Sequence, residues 1–249
     1  MKSNDPFKVH NINYLSPSSI NTYISDMSLW TMRYLFGVRS SSGASAIRGI
    51  TEEYVLADKY EKGFFDFQAL DSKFIALCCE SGVDLNDGKT LKEKDALRSF
   101  GTILDKNFKY DNLESYQEKV EVQVEDLPIP IMGYVDFLFK DKIVDLKTTN
   151  RMPSKPTEAQ KRQMALYSMA YPDKGIDLFF VSPKGHKVYT LDKLTAYKKQ
   201  LKKVAFSIQK FLSISNDKHE LASMLYPNFD KWEWSEDMIK EAKKIWSVK

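Results

Sequence analysis

Between Ile131 and Thr149 the chain is dominated by residues that favour extended backbone. Two β-rich runs, Met132 to Phe139 and Lys142 to Thr148, flank the polar pair Lys140-Asp141 and predict an antiparallel hairpin. Val135, Phe137, Ile143, Val144 and Leu146 put apolar groups on both faces, so the hairpin is expected at the buried centre of a sheet. A turn symmetric about Lys140 and Asp141 sets Phe139 opposite Lys142 and, further out, Asp136 opposite Asp145. Such partners share a face with Cβ atoms roughly 4.5–5.5 Å apart, where like charges destabilise a sheet. Lys147, two residues past Asp145, points to the same face.

The remaining periodicity is mostly helical. Residues 1–14 read as a loosely held lead-in, after which Ser16 and Pro17 start a helix over Ile20 to Phe36 that ends at Gly37. Ala46 to Lys62 is a helix closed by Gly63, with Ile47, Ile50, Tyr54 and Ala57 as its apolar stripe and Glu53 falling inside it. Phe64 to Glu80 and Leu91 to Phe108 are two more amphipathic helices. Tyr116 to Val124 alternates, with Val120, Val122 and Val124 on one side and Glu121 and Gln123 on the other, as in a half-buried strand.

Downstream of the hairpin, Thr157-Glu-Ala-Gln160 is a capping box opening a helix to Tyr171, which Pro172 stops. Strands over Ile176 to Val181 and Lys187 to Leu191 follow. A helix from Asp192 to Ser213 turns Leu201, Ala205 and Ile208 inward and Lys198, Lys199, Lys202, Lys203 and Lys210 outward. That lysine face is a solvated surface or a phosphate-contacting stripe. The element order predicts an α/β fold, a mixed central β-sheet flanked by helices with an accessory helical region. One domain over 1–249 is expected, carrying a helical insertion at about 64–112 and a helical tail at about 192–249.

Composition narrows the chemistry. With 249 residues, 43% of them hydrophobic, the chain can bury a large core. It has no apolar run long enough to span a membrane and no signal-like segment in Met1 to Pro6, so a cytoplasmic location is expected, host cytoplasm if the source is viral. Adjacent Cys78 and Cys79 suit neither an ordinary disulfide nor a metal centre, and His10, His186 and His219 are scattered. A net charge of +3 is too small to announce a polyanionic partner.

Two acids and one lysine in a central hairpin therefore need a reason. One is a structural ion triad. The other is a divalent cation bridging Asp136 and Asp145, since a hard ion takes oxygen ligands and removes the repulsion. With Lys147 beside it, that arrangement suits phosphodiester hydrolysis.

Gly133-Tyr-Val-Asp136 followed by Val144-Asp145-Leu146-Lys147-Thr148 resembles the paired core motif of PD-(D/E)XK nucleases, in its RecB-type exonuclease form. Arg48-Gly49-x-x-x-Glu53 is similar to that family's first motif, Gln163-x-x-x-Tyr167 to its fourth, and Leu15-Ser-Pro-Ser-Ser-Ile-Asn-Thr-Tyr23 to its amino-terminal helix. The four core motifs keep the family's order. The likeness spans Ser16 to Tyr167 and implies a restriction-endonuclease-like core. It implies Mg²⁺ or Mn²⁺ held by Glu53, Asp136, Asp145 and the Leu146 carbonyl, with Glu52 as fallback for Glu53. Lys147 would position or activate water, and Gln163, Tyr167 and Arg48 would contact substrate.

Many relatives carry cysteines after the first helix and in the tail. Here Asp26, Met27 and Ser28 and the stretch around Trp232 and Trp234 stand there, so no iron–sulfur cluster is expected. The resemblance implies a DNA exonuclease of recombination, repair or phage DNA metabolism. The alternatives are a structure-specific endonuclease and a catalytically silent nucleic-acid-binding module. The partner is DNA, single- or double-stranded, with an oligomer left open.

Overall fold

A computed structural model describes residues 5–247. Helices α1 (Pro6–Val9), α2 (Pro17–Ser25), α3 (Met27–Tyr34), α4 (Ala44–Lys62), α5 (Phe67–Glu80) and α6 (Gly88–Asn107) precede strand β1 (Leu113–Val122). Then come β2 (Ile131–Phe139), β3 (Lys142–Thr148), α7 (Glu158–Ala170), β4 (Gly175–Ser182), β5 (Gly185–Thr190), α8 (Thr195–Leu212), α9 (Lys218–Ser223) and α10 (Glu236–Ile245). The strands form one sheet in sequence order, antiparallel except for β3 and β4. A parallel pair needs a crossover, and α7 supplies it. Mixed sheet and flanking helices are as the element order predicts, and no helix among the described residues is long and apolar enough to cross a membrane.

Helices cover both sheet faces. On one, Ile20 of α2, Met164 to Tyr167 of α7 and Leu201, Ala205 and Ile208 of α8 pack on Val120, Ile131, Val135 and Ile143. On the other, α4, α5 and α6 pack on Phe137, Phe139, Val144 and Phe179, with Phe108 wedged among the three phenylalanines. The helix signals act as their chemistry requires: Ser16 and Thr157 cap α2 and α7, and Gly63 ends α4 with a left-handed φ of 80°.

Three expectations are corrected. The lead-in holds α1, whose Phe7 is fully buried, while the part of that reading on residues 1–4 lies outside the described residues. The helix expected over Ile20 to Phe36 is two helices. Asp26 leaves the helical conformation at φ −161° and caps α3 by accepting from the Leu29 amide at 3.0 Å. The stripe of α4 is rotated: Ile50 and Tyr54 are exposed, while Arg48, Thr51 and Glu52 are buried with Ile47, Val55 and Leu56.

Asp26 also receives the tail. Lys231 Nζ lies 3.1 Å from its carboxylate and Trp234 Nε1 3.4 Å from it, and Trp234, Met238 and Ala242 pack on Leu29 and Met32. The two segments where relatives carry cysteines are thus joined by a carboxylate and an indole. Trp232, by contrast, is exposed.

The feature that positions the site is a split in the sheet. Strands β2 and β3 pair through Phe137↔Val144 and Leu138↔Ile143, the register set by the Lys140-Asp141 turn. Nearer its start, β2 is met instead by the chain before α2: the Met132 amide donates to Leu15 O at 2.8 Å and the Leu15 amide to Pro130 O at 3.0 Å. Between these two partners of β2 a wedge opens.

Candidate active site

Asp136 stands where the wedge begins. Its Oδ2 accepts from the Leu146 amide at 3.0 Å, a backbone donor that the β2–β3 ladder no longer pairs. Asp145, fully buried on β3, accepts from Gln163 Nε2 at 3.0 Å through Oδ1, while Oδ2 lies 2.6 Å from Lys147 Nζ. Glu53 comes in from α4. Gln117 Nε2 of β1 reaches both Glu53 Oε2, at 3.3 Å, and Asp136 Oδ1, at 3.4 Å.

Two glycines let the helices come this close. A Cβ on Gly49 of α4 would stand 3.3 Å from the Thr148 hydroxyl at the end of β3, and one on Gly133 would stand 3.0 Å from Leu166 and from the Tyr167 ring on α7. The bare Gly133 backbone allows the Tyr167 hydroxyl to donate to the Tyr134 carbonyl, while Gln163 Nε2 donates to that hydroxyl at 2.9 Å. Tyr167, expected as a substrate contact, has its ring buried and its hydroxyl hydrogen-bonded to the Tyr134 carbonyl and to Gln163.

Electrostatics follow from burial. Loss of solvent pushes the Asp136 carboxyl well above the usual range and the Asp145 charge pushes it further. Asp145 is raised by burial against the opposing pull of Lys147. Glu53 is pushed up to about 7 by burial, with Lys147 opposing and Asp145 assisting. Burial disfavours the Lys147 ammonium, but Asp145 and Asp136 outweigh it and hold the lysine above its ordinary range. Three acids thus share one firmly charged cation.

That imbalance tests whether a metal ion fits. Among the described residues no three His, Cys, Asp or Glu side chains form a close ligand set, and Gln117 bridges Glu53 and Asp136. Yet Asp145 Oδ2 is buried, and the one cation paired with it is Lys147. Carboxylate oxygens in excess of neighbouring cations are the donors a hard divalent ion takes. The residues fit such an ion, and Asp136, Asp145 and Glu53 are the side chains that could hold it.

Arg48 does not join them. It is buried, its guanidinium 3.1 Å from Glu52, 2.6 Å from Glu93 of α6 and centred 3.8 Å over the Phe100 ring. Arg48, expected to contact substrate, thus has its guanidinium enclosed by two carboxylates and a phenyl ring. The same pairing removes Glu52 from consideration as the fallback for Glu53. Gln117 is the site residue that sequence reasoning missed, since an alternating strand marks it only as a solvent-facing polar position.

A cavity of about 630 Å³ leads away from Gln163 and Tyr167, between the start of α2 and the Tyr14, Arg39 and Tyr134 side of the wedge. It is open to solvent along Tyr14 and Tyr134, each half exposed.

A sequence profile of the PD-(D/E)XK nuclease superfamily matches residues 14–245. No curated protein matches the sequence. Among solved structures, the chain is similar to a "Putative exonuclease" from Eubacterium rectale with a TM-score of 0.59 at 12% identity, over 96% of this chain and 92% of that one. A second, SSO0001, aligns at 12% identity over 76% and 82% with a TM-score of 0.33 and carries no argument. The profile spans every motif from Gly49 to Tyr167, and the wedge brings Glu53, Asp136, Asp145, Lys147 and Gln163 to one place: the chain belongs to the PD-(D/E)XK nuclease superfamily.

Proposed function

We propose that this nuclease is a Mg²⁺- or Mn²⁺-dependent deoxyribonuclease acting from DNA ends, in recombination, repair or phage DNA metabolism. The observation that carries the reading is the excess of acid at Asp136, Asp145 and Glu53 over the one cation among them, Lys147, whose Nζ lies 2.6 Å from Asp145 Oδ2. Asp136, Asp145 and Glu53, with the Leu146 carbonyl, would hold the ion. When bound, a divalent ion makes water more acidic and draws charge from a phosphoryl oxygen. Lys147, kept charged by its two acids, orients the attacking water and stabilises the negative charge that develops on phosphorus-bound oxygen. Gln163 fixes Asp145 and leaves the other Asp145 oxygen toward Lys147.

The cavity ends on Gln163, whose carboxamide holds Asp145, and would seat a strand terminus beside these groups. The exonuclease name carried by the Eubacterium rectale neighbour supports the same mode. We read the chain as one domain, with α5 and α6 as its helical insertion and α8 to α10 as its tail.

Digestion of end-labelled linear, circular, 5′-blocked and 3′-blocked DNA with Mg²⁺ tests this. Linear DNA should be degraded and circular DNA spared, while Lys147→Ala and Asp136→Asn should be inactive. Cutting of circular DNA would make the protein an endonuclease, and equal cutting by all three proteins would refute the residue assignment.

A further inference from the structure

Gln117 lies within β1 at φ +52°, a left-handed backbone that residues other than glycine rarely adopt. Register pairs Tyr116 with Phe137 and Glu118 with Val135, which puts Gln117 across from Asp136. Both strands change face at this step. Tyr116 packs under α4 to α6 whereas Val120 packs under α2, α7 and α8, although positions an even number apart in a regular strand share a face. On β2 the same reversal separates Phe137 from Val135. A local irregularity of this kind re-aims side chains. Here it turns Asp136 into the wedge, onto the Leu146 amide.

The carboxamide then reaches two acids from different elements, Glu53 on α4 and Asp136 on β2. Glutamine is suited to this because it donates two hydrogens and brings no charge. A lysine there would neutralise the acids as a standing ion pair, and a glutamate would add a fourth carboxylate. We propose that Gln117 is a positioning residue that fixes the spacing of Glu53 and Asp136 through one oxygen of each, while the Leu146 amide holds the second Asp136 oxygen, so that both carboxylates present their remaining lone pairs to a divalent cation in one fixed orientation. The strained backbone is kept because it delivers that side chain.

This rests on the reading that Asp136, Asp145 and Glu53 bind a metal, and the test separates the two. Gln117→Gly removes the carboxamide and accepts φ +52° without strain. Mn²⁺ affinity is measured by calorimetry, and the thermal midpoint is measured without added metal, for wild type, Gln117→Gly, Gln117→Asn and Asp136→Asn. The glycine variant should melt no lower than wild type yet bind Mn²⁺ roughly 10-fold more weakly, as expected when a group that orients a ligand is lost. Asn, which tolerates the same backbone but has a shorter reach, should show the same weakening and carries the test should the glycine variant fail to fold. Wild-type affinity in both variants, with binding abolished in Asp136→Asn, overturns the role of Gln117 and leaves the metal site standing. No Mn²⁺ binding by wild type overturns both.

Discussion

The Gln163 carboxamide nitrogen donates to Asp145 Oδ1 at 3.0 Å, which ties helix α7 to the strand that carries the reacting groups. Because Asp145 has no solvent contact, that bond is one of very few groups steadying its charge. Gln163→Ala should fold and should cut end-labelled DNA roughly 10- to 100-fold more slowly at saturating Mg²⁺. Tyr167 acts through Gln163, so Tyr167→Phe should slow cutting on its own but add little in the Gln163→Ala background. Additive losses in initial rates would show that Tyr167 acts independently.

The stability that the buried glutamates contribute should depend on pH in a direction opposite to that of an ordinary ion-paired carboxylate. Glu53 is pushed from its ordinary 4.5 to about 7 by burial, so the folded chain holds this proton more tightly than the unfolded chain does. The contribution is full below about 4.5 and is lost as pH rises through about 7. With chelator present, the thermal midpoint should fall as pH climbs through that window, and Glu53→Gln should flatten the fall. Glu52, raised to about 8 by burial against the opposing Arg48 charge, adds a further decline in the same direction. Mn²⁺ should suppress the Glu53 part and leave the Glu52 part, which separates the two in melts at several pH values.

Arg48 is predicted to matter for folding and not for contact with DNA. Arg48→Ala strands the buried Glu52 carboxylate and should cost about 3–5 kcal/mol in denaturant unfolding. An apolar pair, Arg48→Met with Glu52→Leu, should recover part of that loss, because it removes the fully buried carboxylate and leaves only Glu93, which keeps some contact with solvent, without its partner. The recovered variant should retain cutting. Loss of activity in a stable double variant would return Arg48 to the substrate.

These outcomes trace what the sequence can and cannot disclose. The register of the β2–β3 hairpin was legible because a two-residue turn leaves one pairing, although the ladder stops at Phe137 and Val144, one step short of Asp136 and Asp145. The wedge was not, since it depends on Leu15 displacing β3 from the edge of β2 across more than a hundred residues. The reversal at Gln117 was hidden because glutamine is not a residue that marks left-handed backbone. The α4 stripe was misjudged for a similar reason. Its buried Arg48 is tolerated by Glu93 on α6, a partner that local periodicity does not reveal. The break at Asp26 was within reach, for aspartate three residues before Leu29 is an ordinary cap.

The two tail tryptophans should separate cleanly. Trp234 is buried against Leu29 and Met32 with its Nε1 on Asp26, so Trp234→Ala opens a cavity and removes one partner of a buried carboxylate. A loss of about 3–5 kcal/mol is expected. Trp232 lies in solvent, and Trp232→Ala should change stability by no more than about 0.5 kcal/mol. Asp26→Asn keeps the cap on α3 through its one carbonyl oxygen but sets an amide nitrogen, itself a donor, against the Trp234 indole and Lys231, and should fall between them. Unfolding curves of the three variants decide the matter: if Trp234→Ala is as stable as Trp232→Ala, the tail does not hold the α2–α3 junction through Asp26.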